Sequence, residues 1–202
     1  MQDELHTFPA EGQWDLLVEY GLHEWFSGQW VDIEDIGEIA RRLRVDLESG
    51  TVCDFQTAMR SYSISSKTRL VWIGEHAPGW SHVLTLSGAT PPSEAIEALS
   101  AGERRVFDAF FIEETGHLQE LLYSYDGACV GNVCPPHPGG TVEVAEYDAY
   151  ASGLELSSGM RSAEIFDRFL CMAGRITGRF IDRDWFSSTR TLYQIPEGAW
   201  NY

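Results

Sequence analysis

The feature that most constrains this chain is a change of hydrophobic period along its length, with helical stripes toward both ends and short strand-like runs between them. Near the start, Trp14, Leu17, Val18, Gly21, Leu22, Trp25 and Phe26 recur at i, i+3, i+4 and i+7 spacing while Asp15, Glu19 and Glu24 fall off the stripe. That pattern predicts a first helix facing a core. Asp32 has the chemistry to N-cap a second helix with Ile33, Ile36, Ala40 and Leu43 inward. Arg41, Arg42 and Arg44 then stand in its last turn, where cations suit the helix dipole. A short amphipathic piece follows at residues 54–62.

The character changes after that piece. Residues 70–73 and 81–86 are β-branched, aromatic and apolar, and the link between them contains Pro78 and Gly79, which predicts a β-hairpin. Pro91 and Pro92 open a short helix reaching residue 99. Residues 106–112, 117–125 and 128–133 read as three more strands, the last two joined at Asp126-Gly127, whose tolerance of positive φ suits a type I′ turn. Ser162 is placed to N-cap a long helix with Ile165, Phe166, Phe169, Leu170, Ala173 and Ile176 inward, stopped by Gly178. A short segment at 184–192 closes the chain. Elements grouped in blocks rather than alternating predict an α+β fold: an antiparallel β-meander of about five strands covered by N-terminal and C-terminal helices. A chain of 202 residues is long enough to bury one core, so residues 1–202 are expected to form a single domain, with an acidic insert at 141–160 that is either a covering loop or a short helix.

Charge is the second constraint. The formal net charge is −17, and the excess is segregated: residues 1–40 hold ten acids and 106–160 hold nine, and neither stretch contains a Lys or Arg. The remaining two blocks are close to neutral. Phosphate binding rests on clustered Lys and Arg, so nucleic-acid binding is disfavoured. No window approaches the roughly 20 apolar residues that span a bilayer, and the start Met1, Gln2, Asp3, Glu4 is the opposite of a cationic signal sequence. A cytoplasmic protein without membrane contact is therefore expected, with Cys53, Cys129, Cys134 and Cys171 as free thiols.

Trp72, Gly79-Trp80 leading a strand, Ser87-Gly88, Leu99-Ser100, Phe107 and a strand ending Tyr125-Asp126-Gly127 form a pattern that resembles an uncharacterised bacterial family, domain of unknown function 6461. The helix ending Ile176-Thr177-Gly178 is similar to that family's C-terminal apolar helix. The resemblance spans about residues 15–185, and the acidic stretch at 141–160 departs from it. Its motifs are aromatics and glycines of the kind that maintain a fold, so the resemblance implies no catalytic residue.

Constellations with possible chemistry are few. Cys129, Cys134 and His137 are spaced as zinc ligands could be, with His117 or Cys171 as a fourth, but the spacing is not a paired-cysteine signature and burial in a strand is the simpler reading. Cys53-Asp54 with His76, His82 or His117 offers the parts of a nucleophile and base, without a Gly-x-Ser-x-Gly elbow to place them. Glu113-Glu114 and Asp182 with Asp184 offer paired carboxylates, more often a solvated surface than an acid and base. Phosphate-cradling glycine loops are absent and no motif asks for a cofactor.

The segregated acids then weigh most. Nineteen acids without an intervening base repel one another, which either the fold or a cationic partner must offset. The leading expectation is a non-enzymatic protein-binding module, an acidic inhibitor of the immunity-protein or antitoxin kind that docks a basic toxin or effector. Its expected contacts are Asp32, Glu34, Asp35, Glu38, Glu143, Glu146, Tyr147, Asp148 and Tyr150, with Trp30 as a further aromatic anchor. The alternatives are a small enzyme or ligand-binding domain with a Cys/His site between sheet and helices, and, third, a DNA mimic.

Overall fold

A computed structural model describes residues 6–62, 68–86 and 90–200, which leaves Met1 to Glu4 and the Ser87-Gly88 pair outside the described residues. In chain order the elements are α1 (Gln13–Glu19), β1 (Trp25–Val31), α2 (Ile36–Arg42), β2 (Asp46–Cys53), α3 (Phe55–Ser61), β3 (Arg69–Ala77), β4 (Trp80–Thr85) and α4 (Ser93–Ser100). They continue with β5 (Arg105–Ile112), β6 (His117–Tyr125), β7 (Ala128–Asn132), a 3₁₀ helix (Ala145–Ala151), α5 (Ser162–Thr177), α6 (Arg183–Ser187) and β8 (Arg190–Ile195).

The α+β class and the antiparallel sheet stand as expected, but the sheet has eight strands, not five, in the order β2-β8-β3-β4-β1-β5-β6-β7. Strands β5, β6 and β7 form a three-strand meander instead of the five-strand one expected, because β1 lies between β4 and β5, and Asp126 (φ 49) and Gly127 (φ 80) make the turn between the last two strands with both residues left-handed. Helices cover both faces rather than one. On one face α1, α3, α5, α6 and the 3₁₀ helix pack Leu16, Phe55, Phe166, Trp185 and Tyr147 against Phe26, Trp30, Trp72 and Phe107 of the strands. On the other face α2 and α4 bring Ile39, Leu99 and Leu43 onto Val31, Val71, Ile73, Val83 and Val106. Successive strand residues therefore feed two different cores.

The first expected helix ends early. Trp25 and Phe26 leave the stripe and begin β1, because Gly21, at φ 77, turns the chain after α1. The cap of the second helix also moves by three residues: Asp35 Oδ1 accepts from Gly37 N at 2.8 Å and Glu38 N at 3.2 Å, while Asp32 serves elsewhere. Asp35→Ala is expected to lower stability by about 1 kcal/mol, read by denaturant unfolding, with Asp35→Asn restoring most of it. α5 is capped by Arg161 rather than by Ser162, which becomes its first residue, and it stops at Gly178 in the left-handed conformation, as expected. The stretch 141–160 is a short 3₁₀ helix within loop, with Tyr147 and Ala151 buried under it. The four cysteines are free thiols. Among the described residues no helix is long and apolar enough to cross a membrane.

Candidate functional site

The acidic residues singled out from the sequence are placed mostly by bonds inside the protein. Asp32 accepts from Arg105 N at 2.8 Å and from its Nε at 2.9 Å, fixing the entry of β5. Glu34 Oε1 accepts from Gly79 N at 2.8 Å and so holds the β3–β4 turn. Glu38 pairs with Arg42 at 2.6 Å, and Arg42 in turn donates to three carbonyls at residues 98, 99 and 101. Glu143 accepts from Asn132 N and Asp148 from Val142 N. Two expected anchors are in fact core residues: Trp30 and Tyr147 are 1% and 5% exposed, because both face the larger helix layer. Tyr150 stays half-buried, its ring 6.1 Å from that of Tyr147.

The two base-free stretches pair along β1 and β5, with α2 of the first on one face of the sheet and α1 of the first and the 3₁₀ helix of the second on the other, and they meet again at one end of it. The joint is Arg105, which binds Asp32 from the first stretch, interacts with the Tyr147 hydroxyl of the second and lies 4.9 Å over the Trp80 ring. Glu34, Asp35 and Glu146 are exposed around this junction. Burial, together with Tyr123 and Glu146 beside it, pushes the Tyr147 phenol far above its ordinary range, so it remains protonated.

The parts imagined for a metal or a nucleophile do not assemble. Cys129 is exposed on the outer strand β7, Cys134 Sγ accepts from Leu121 N at 3.0 Å, and His137 Nδ1 sits 2.9 Å from the Leu156 carbonyl. Among the described residues no group of three His, Cys, Asp or Glu could hold a metal ion. Cys53 is buried beside Trp72 and burial raises its thiol pKa, the wrong direction for a nucleophile. Asp182 caps α6 through Trp185 N and pairs with Arg179, and Glu113 lies 3.8 Å from His23, so neither carboxylate pair acts as one.

A different constellation, which sequence reasoning missed, lies beneath α6. His82 of β4 stands opposite both Gly74 of β3 and Trp30 of β1, and Arg190 opens β8 on the far side of β3. The Arg190 guanidinium lies 4.2 Å from the Trp185 ring centre and 4.7 Å from that of Trp72. His82 is wedged edge-on between Trp30, at 4.8 Å, and Trp185, at 5.2 Å, with His76 5.9 Å away. Two glycines make the space. A Cβ on Gly74 would stand 2.3 Å from Arg190 Cγ, and one on Gly28 would stand 2.8 Å from His82 Nε2. A glycine in a strand interior was the sequence signal available for this close approach.

The electrostatics of this centre follow from burial. His76 Nε2 is 2.9 Å from the Arg179 carbonyl, which can only accept, so Nε2 carries the ring proton and Nδ1 is a bare acceptor. Burial, reinforced by the nearby Arg190 charge, pushes the His76 pKa down to about 3 and that of His82 well below the ordinary range. Both rings are neutral at pH 7. Burial and the Arg179 charge lower Arg190 to about 9, which leaves it a cation at pH 7. No family model, curated protein or solved structure matches the chain.

Proposed function

We propose that the protein is a non-enzymatic acidic binding module that docks a basic protein, as an immunity protein or antitoxin does with a cationic toxin or effector. The observation that supports this reading is the meeting of two base-free stretches at the sheet end around Arg105, where Glu34, Asp35 and Glu146 are exposed. Arg105, Arg41 and Arg42 offset only part of that charge. A chain at −17 repels itself, and a cationic partner seated at this end relieves the repulsion while its own charge speeds the encounter. Of the surface salt bridges, Arg183 with Glu11 and Glu19 lies around α1 and α6, while Arg41 with Asp35 and Arg42 with Glu38 lie on α2 beside the junction, where Glu34 and Glu146 stay exposed.

The test is binding of basic proteins, beginning with those encoded beside this gene, at two salt concentrations. At about 50 mM salt a basic partner is retained, and at about 500 mM it is released, because screening shortens the reach of surface charge. Neutralising the junction with Glu34→Gln, Asp35→Asn and Glu146→Gln keeps every cap and turn acceptor, and is expected to weaken binding roughly tenfold, chiefly through the association rate. Asp46→Asn with Glu48→Gln at the start of β2 is the control, with a change under about twofold. Equal effects of the two sets, or no basic protein bound at low salt, would overturn the reading.

A further inference from the structure

Arg190 and Arg175 are the two buried arginines, and their surroundings differ. Arg175 donates to the carbonyls of Thr7, Tyr150 and Ser152, so most of its fork is satisfied. Arg190 is 3% exposed and has one long contact, Nε to Ser188 Oγ at 3.4 Å. Both of its terminal nitrogens, Nη1 and Nη2, are buried without a partner among the described residues. An unpaired buried cation costs several kcal/mol, and two aromatic faces return only about 2 kcal/mol each. A fold that keeps such a residue leaves it short of an anion.

The groups around it are short of the same thing. Both ring nitrogens of His82 and the indole N–H groups of Trp30 and Trp185 are buried without a partner among the described residues. These groups line one sheet row, with Arg190, Gly74, His82 and Trp30 side by side on successive strands β8, β3, β4 and β1. The two indoles can only donate. With one arginine and two neutral histidines, the net charge of the centre is a single positive, which a monoanion balances and a dianion would overshoot.

We propose that Arg190 anchors a binding site for one small monocarboxylate, held between β3, β4 and α6. The guanidinium is flanked by the Trp72 and Trp185 rings, so its two Nη groups are offered along its edge, the geometry that a planar carboxylate meets with two parallel hydrogen bonds. The Trp30 and Trp185 N–H groups supply further donors, and the surrounding Trp72, Trp185 and Phe55 rings make the setting apolar. The segment 179–184 lies between this centre and solvent. Its outer side lines an open cleft of about 590 Å³ with Pro9 and Leu16, and its inner side meets His76 through the Arg179 carbonyl. This site is separate from the acidic sheet end, and neither proposal depends on the other.

Thermal unfolding of the full chain in acetate, propionate, benzoate, phosphate, sulfate and chloride, at matched ionic strength and pH 7, reads the site directly. A monocarboxylate at a hundredfold excess over its Kd is expected to raise Tm by about 5 °C or more. Arg190→Lys keeps the charge and loses the fork, and abolishes the shift. Trp30→Phe keeps an aromatic ring and removes the indole N–H together with the pyrrole part of the bicycle; it is expected to weaken carboxylate binding about fivefold, measured by titration calorimetry, and it keeps the test open if the arginine variant does not fold. Stabilisation by phosphate or sulfate equal to that by carboxylates overturns the assignment of ligand class. A carboxylate shift that survives Arg190→Lys, or no shift with any of the three carboxylates, overturns the site.

Discussion

Lowering the pH from 7 to 5 is expected to cost the fold about 4 kcal/mol, because His76 and His82 are buried neutral. Their pKa values in the folded protein lie well below the 6.5 of an exposed histidine, that of His76 at about 3, so as the pH falls below 6.5 the unfolded chain binds two protons that the folded protein refuses. Stability from these groups is therefore complete above pH 6.5 and is lost as the pH falls toward 3. The slope should approach about 2.7 kcal/mol per pH unit below pH 6, twice the value for one titrating group. The sign is diagnostic here. A chain at −17 sheds self-repulsion as its carboxylates protonate, so charge alone would make mild acid stabilising. Denaturant unfolding at pH 7, 6 and 5 reads the slope, and His82→Phe, which replaces a ring with no bonded nitrogen, should halve it. A flat profile would mean that the two rings are not buried as described.

Gly74→Ala is expected to destabilise the protein by about 3 kcal/mol and lower Tm by about 10 °C. The added methyl would sit 2.3 Å from Arg190 Cγ and 2.8 Å from its Cβ and Cδ, inside any tolerable contact, and the side chain is held from above by Trp72 and Trp185. The cost is therefore a shared one. In the background of Arg190→Ala the Cγ and Cδ contacts are gone and only the Cβ at 2.8 Å remains, so the same glycine substitution should cost clearly less, about 1 to 2 kcal/mol. Strict additivity of the two changes would show that something other than the arginine confines residue 74.

How far the fold can be read in advance depended on which strands kept a two-faced pattern. The hairpin β3–β4, the meander β5-β6-β7 and the helices α4 and α5 were legible because their apolar residues, turn residues and caps agree with one another. β1 was hidden because it is buried on both faces and lacks a polar alternation, so Trp25 and Phe26 read as the end of a helical stripe. β2 was hidden for the opposite reason. It is an edge strand with seven of its eight residues exposed or half-exposed, and Glu48, Ser49 and Gly50 look like loop. The two-layer cover of helices is what removes polar alternation from the central strands. At the candidate sites, the acids were legible as chemistry and not as positions: Asp32 and Glu34 are spent on Arg105 and the Gly79 turn, which no local spacing foretells. Arg190 lay in a closing segment read only as short, and its partners come from strands and a helix distant in sequence.

The place of β8 in the sheet has a consequence for the order in which the protein can be made. β2 pairs with no other strand than β8, and β8 inserts between β2 and β3. On the ribosome, residues 46–53 emerge long before residues 190–195, so β2 must wait through the synthesis of most of the chain with its strand neighbour missing. During that wait β3 has an open edge as well. The remaining six strands can pair as they appear, but the last seam, and with it the seating of Arg190 against Gly74, closes only once the final strand has left the tunnel.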